Sequence, residues 1–143
     1  MIKNTVVHII DSHVTDGEKT ACELTTSGTL DFTAPDNFTV TYRETDEELE
    51  GCETTLKLEE MRRVIMTRTG KYSAEMIIEK ERRHTCFYAT PFGELMMGIY
   101  ASCVEAEMTE NGGRLRFVYT IDFNNDLASE NELTVIVKTK QEE

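Results

Sequence analysis

The chain contains no tryptophan, only two prolines and only three histidines. Its four cysteines, Cys22, Cys52, Cys86 and Cys103, are too widely spaced to form a CxxC pair, which excludes the usual zinc-ribbon and dithiol-redox signatures. Long apolar runs are also missing. The longest extends from Leu95 to Ala101, far short of the roughly 20 residues that a membrane-crossing helix needs. Met1-Ile2-Lys3-Asn4 leads into alternating residues rather than the apolar segment of a secretory signal, so the expected location is cytoplasmic, with the thiols reduced. Positive charge is scarce: 15 basic against 27 acidic side chains give a formal net charge of −12. Such a surface repels a phosphate backbone and an anionic bilayer alike, so neither nucleic acid nor membrane is an expected partner.

What is present is a chain of 143 residues, enough for one domain with a genuine core. Its dominant period is two. Phe38, Val40 and Tyr42 alternate with Thr39, Thr41 and Arg43; Leu115, Phe117, Tyr119 and Ile121 alternate with Arg114, Arg116, Thr120 and Asp122. The same alternation marks Cys22–Gly28, Cys52–Glu59 and Leu133–Lys138. One face in a core and one in water is the pattern of a half-buried strand. Strands are expected near 2–14, 18–32, 37–44, 51–59, 62–69, 73–81, 84–89, 93–108, 113–123 and 127–138. The charged stretches Glu44–Glu50 and Glu79–Arg83 have room for a helical turn each, but neither carries an apolar stripe.

Turn residues separate these runs at short intervals. Asp16-Gly17, Thr69-Gly70-Lys71, Thr90-Pro91-Phe92-Gly93, Asn111-Gly112-Gly113 and Asn124-Asn125-Asp126 all suit tight connections. Short turns between consecutive strands make an antiparallel meander. The expected fold is therefore all-β: an up-and-down barrel of about 8–10 strands, residues 1–143 forming a single domain with a frayed tail at 139–143. An open two-sheet sandwich is the competing architecture.

Motifs of common enzymes are missing: there is no GxSxG, no phosphate-cradling glycine loop and no HExxH. His8 and His13 face opposite ways on one strand, and Asp122–Asp126 opens like a calcium loop but fails at Leu127 and Leu133. No metal or other cofactor is expected. For acid–base or thiol chemistry only Glu75, His84 and Cys86 are available, and nothing in the sequence brings them together, so an enzyme is the weakest of three readings.

The informative residues are polar ones that fall on the apolar phase. If Val64 and Met66 point inward, Arg68 follows them; Glu44 follows Tyr42, and Ser129 with Asn131 precede Leu133. An inward arginine requires a counter-charge, supplied by Glu44, by Glu75 or by a bound anion. One outcome is an internal salt bridge that plugs the barrel. The other is a binding cavity for a small amphipathic or anionic ligand. Arg68 would be its anchor, Tyr42, Tyr88, Tyr119 and Asn131 would orient the ligand, and Met66, Met76 and Ile78 would form the apolar wall. The alternative function is a protein-interaction or regulatory module with a packed barrel, either a homodimer or a module that draws a basic protein partner to the acidic segment Glu44–Glu53.

Arg68-x-Gly70, Met76-x-Ile78-Glu79, Tyr88-x-Thr90-Pro91-Phe92-Gly93-x-Leu95, Gly112-Gly113 followed by Tyr119, and Ser129-x-Asn131-x-Leu133 together resemble the YwiB-like family of bacterial proteins. The resemblance spans nearly the whole chain. It implies a lipocalin-like, calycin-type antiparallel barrel and a domain of unknown function without established catalytic residues. One departure stands out. Where that pattern has a glycine turn after Glu79, this chain has Glu81-Arg82-Arg83.

Overall fold

A computed structural model describes residues 2–44, 51–70, 74–90, 93–123 and 126–140. Ten strands follow one another: β1 (Ile2–Thr15), β2 (Glu18–Ala34), β3 (Asn37–Arg43), β4 (Glu53–Glu59), β5 (Arg63–Thr69), β6 (Ala74–Glu79), β7 (Arg83–Thr90), β8 (Gly93–Thr109), β9 (Gly112–Phe123) and β10 (Asp126–Thr139). Each pairs antiparallel with its sequence neighbours, and β1 also pairs with β10, from Thr5 opposite Thr139 to Val14 opposite Glu130. That last pairing closes the meander into a barrel and overturns the sandwich. Closure satisfies backbone groups that an open sheet would leave at its edges. Thr139 is thus a ladder residue rather than a frayed one, and Lys140 donates its backbone N–H to the Asn4 carbonyl at 2.9 Å. Residues 141–143 lie outside the described residues.

The C-terminal ends of the odd-numbered strands define one end of the barrel, here called the mouth; their N-terminal ends define the base. Period-two alternation sends one residue in two inward, and the base is filled by them. Val7, Leu30, Phe38, Val40, Leu56, Leu58, Val64, Ile78, Ile99, Leu115, Phe117 and Val135 form a continuous apolar core with almost no solvent exposure. A bulge between Ala101 and Cys103 shifts the phase of β8, so Ile99 and Ala101 point inward before it and Val104 and Met108 after it.

Three connections put non-glycine residues at positive φ, the turn between β4 and β5 doing so at Glu60 (φ 55°) and Met61 (φ 54°). Asp16 (φ 52°) and Gly17 (φ 77°) both take positive φ, as a two-residue hairpin requires. Between β6 and β7 the charged stretch Glu79–Arg83, which has room for a helical turn, forms none; Glu79 and Arg82 pair as a bridge and Glu81 adopts φ 61°. The chain therefore makes this turn with a glutamate in the left-handed region that glycine would occupy without strain. Helices are absent among the described residues, and no helix is long and apolar enough to cross a membrane.

β2 pairs with β1 from Asp31 opposite Ile2 to Glu18 opposite Thr15, but towards the mouth its pairing with β3 ends at Gly28 opposite Tyr42. At Gly28 a side chain would strike the Thr41 carbonyl and Val7, so only glycine permits this approach where the strands part. Beyond it, β2 projects past the mouth. Cys22, in phase with the core, is consequently exposed instead of filling it, whereas Cys52 and Cys86 are buried. All four thiols are free.

Candidate functional site

The mouth is built from one tier of paired residues. Gly28, Tyr42, Thr54, Arg68, Ala74 and Tyr88 lie side by side across β2 to β7, each opposite the next. Arg68 is inward because Val64 is, as the alternation requires, and its side chain is 15% exposed. Its counter-charge is Glu44, whose side chain is only 10% exposed and whose Oε1 lies 3.6 Å from Arg68 Nη2. The same carboxylate oxygen accepts a hydrogen bond from the Thr54 hydroxyl at 2.6 Å. Glu75, the other candidate partner, is exposed on the outer face of β6 and plays no part.

Tyr42 and Tyr119 complete the cluster. Burial pushes the Tyr42 phenol well above its ordinary value, reinforced by Glu44 and opposed by Arg68. Burial does the same to Tyr119, with Asp11 adding to the rise and Arg68 again opposing it. Both phenols therefore stay protonated and serve as hydrogen-bonding groups, not bases. The Tyr119 ring stacks on Phe117 with centroids 5.6 Å apart, which fixes its height above the packed base. Asp11 is the residue that sequence reasoning left out of the site. It follows Val7 and Ile9 on the inward phase of β1, and burial raises its pKa while His13 partly offsets the rise. Thr54 was likewise legible from the phase of Leu56 and Leu58.

The other expected site residues divide. Asn131 stands opposite Tyr119 and donates to the Ser129 hydroxyl at 2.9 Å, so it borders the cluster. Met66 and buried Met76 face each other one inward tier below Arg68. Ile78 pairs with Val64 another tier down and is fully buried among the residues that fill the base. Tyr88 contributes its backbone to the mouth tier; its side chain is outside the described residues, as are positions 45–50 of the acidic segment.

Beside this cluster lies a half-open recess of about 750 Å³ whose wall includes Thr26, Arg43, Glu44, Gly51 and Cys52. Glu44 is shared: it faces the recess and also neutralises Arg68 behind it.

A second polar cluster closes the base. Glu79, 7% exposed at its side chain, accepts hydrogen bonds from His84 Nε2 at 2.8 Å and Arg62 Nε at 3.1 Å, with Arg63 Nη1 at 3.8 Å. The bonds from His84 and Arg62 hold its carboxyl below the usual range despite the cost of burial. The three candidates for catalysis are thereby dispersed. His84 is engaged by Glu79, Glu75 faces outward, and burial pushes the Cys86 thiol up, away from the thiolate that nucleophilic chemistry uses. Among the described residues, no three His, Cys, Asp or Glu side chains converge as a metal site would require.

A family model described as "Domain of unknown function (DUF1934)" matches residues 7–135. The crystal structure of the YwiB protein from Bacillus subtilis superimposes with a TM-score of 0.85 at 18% identity, over 98% of this chain and 94% of that one. At that identity the likeness concerns the fold. No curated protein sequence matches the chain.

Proposed function

This chain belongs to the DUF1934 family, a domain of unknown function, and on that premise we propose that its barrel mouth binds a small amphipathic, anionic molecule in the cytoplasm. The observation that carries the reading is the position of Glu44. It separates a recess of about 750 Å³ from a largely buried arginine, which it contacts at 3.6 Å, an ion-pair distance and not a hydrogen bond. A ligand carboxylate or phosphate that displaces Glu44 inherits Arg68 as a charge-assisted partner, with the Tyr42 and Tyr119 hydroxyls as neutral donors beside it. Recesses of this size suit single small molecules. The base is filled up to Met66 and Met76, one tier below Arg68, so a ligand whose apolar part is short is favoured over a long one. Asp11 opposes an anion in this position, so its charge tunes affinity downward.

The test is calorimetric titration and thermal shift with short- and medium-chain fatty acids and phosphate monoesters. Binding is expected for the wild-type protein, at least tenfold weaker binding for Arg68→Ala, and stronger binding for Asp11→Asn. The Asp11→Asn gain has a defined pH window. Because the folded-state pKa of Asp11 is raised above 3.8, the wild-type carboxyl is neutral at low pH, and the gain disappears as pH falls through that raised value. Equal affinity of wild type and Arg68→Ala for every ligand would refute the anchor.

A second reading, a protein-interaction module, is favoured by one observation: the tightly packed base leaves the exterior as the larger available surface.

A further inference from the structure

Two strands outrun a neighbour among the described residues: β8 beyond Tyr100 on its β7 side and β2 beyond Gly28 on its β3 side, and the second of these is the edge at the mouth. From Glu18 to Ser27 the β3-facing side of β2 has no strand beside it among the described residues, and seven of the eight residues from Glu18 to Thr25 are exposed, Leu24 alone being half-buried. An unpaired edge of this length, about 30 Å at the usual rise per residue, offers a row of backbone donors and acceptors to another strand. We propose that the occupant is β2 of a second copy of this chain, added antiparallel so that the two barrels share a continuous sheet.

Charge selects the register. A two-fold axis normal to the sheet can only place residues of like parity opposite each other, because inward faces must meet inward faces. Centred on Ala21, the pairing sets Lys19 of each copy opposite Glu23 of the other, twice by symmetry, and sets Glu18 opposite Leu24 and Thr20 opposite Cys22. Centring one step along on Cys22 sets Lys19 opposite Thr25 and forfeits both ion pairs. Centring on Glu23 or on Lys19 sets like charges face to face, which is unfavourable for directly opposed residues. Only the Ala21 centre is self-complementary. It also brings the Asp16-Gly17 turn of the second copy beside Thr25 and Thr26, at the lip of the recess where Arg43 provides an opposite charge. This assembly stands apart from the ligand proposal: it requires neither Arg68 nor Glu44.

Sedimentation and disulfide trapping test it together. The wild-type chain is expected to dimerise reversibly, Lys19→Glu to weaken the dimer by at least tenfold, and Lys19→Glu with Glu23→Lys to restore it. Under mild oxidation, Ala21→Cys in a Cys22→Ser background is expected to cross-link across the axis. Native Cys22 is not, since diagonal residues stand about 8 Å apart, beyond disulfide reach. A wild-type chain that stays monomeric at millimolar concentration would overturn the proposal. So would a dimer indifferent to Lys19→Glu, or one trapped through Cys22 and not through position 21.

Discussion

Arg68 and Glu44 lend themselves to a double-mutant cycle whose size follows from their geometry. Two unit charges 3.6 Å apart attract by roughly 4–5 kcal/mol at an effective dielectric constant near 20. Removing both from water costs a similar amount, so the pair as a whole stabilises the barrel little. Removing one partner is different, because the other stays nine-tenths or nearly so enclosed and loses the opposite charge 3.6 Å away. Arg68→Met is therefore expected to destabilise by about 3 kcal/mol. Glu44→Gln keeps an acceptor for the Thr54 hydroxyl and is expected to cost about 2 kcal/mol. The double variant carries neither charge and should cost only about 1 kcal/mol, less than either single variant, giving a coupling near 4 kcal/mol. Urea denaturation at pH 7 measures all four proteins, with equal slopes as the check that the unfolded states are comparable. Costs that add to within about 0.5 kcal/mol would mean that the two groups do not sense each other, and the mouth described above would lose its electrostatic centre.

Other consequences are simpler to measure. Glu79→Gln is expected to lower stability at pH 7 by about 1–2 kcal/mol, a figure held down because Arg62 is half exposed. Since the folded-state pKa of Glu79 lies below 4.5, its contribution is complete above pH 4.5 and is lost as pH falls through the depressed value; melting curves of the two proteins should converge in acid and stay apart at neutrality. Glu81→Gly relieves a glutamate at φ 61° and should raise the melting temperature by about 2–3 °C in calorimetry, the gain being roughly 0.5–1 kcal/mol after the entropy of the added glycine is subtracted. A lower melting temperature would place the cause of that turn elsewhere.

Strand number and the inward phase of Tyr42, Met66, Arg68 and Tyr119 follow from alternation, and the meander from the short turns, whereas closure through β1 and β10 was decided in the tertiary structure. A pleated chain must send successive side chains to opposite faces, and burying the wrong set costs too much for the register to slip. The chain itself also required that an inward Arg68 find a counter-charge, because an unmatched buried guanidinium is too costly. Which group meets it was a tertiary decision. Glu44 and Glu75 were equal candidates until the barrel turned Glu75 outward and brought β3, β4 and β5 side by side, so that Thr54 and Arg68 reach the same oxygen of Glu44. Ile78 and Cys22 show the same limit from opposite directions. Both have the phase of lining residues, yet one is sealed in the base and the other stands in solvent, because phase fixes the face of a strand and says nothing about its height along the barrel. Height is set by where neighbouring strands begin and end, a long-range property that no local pattern encodes. The same property leaves the β3-facing side of Glu18–Ser27 without a strand among the described residues and opens the recess at Glu44.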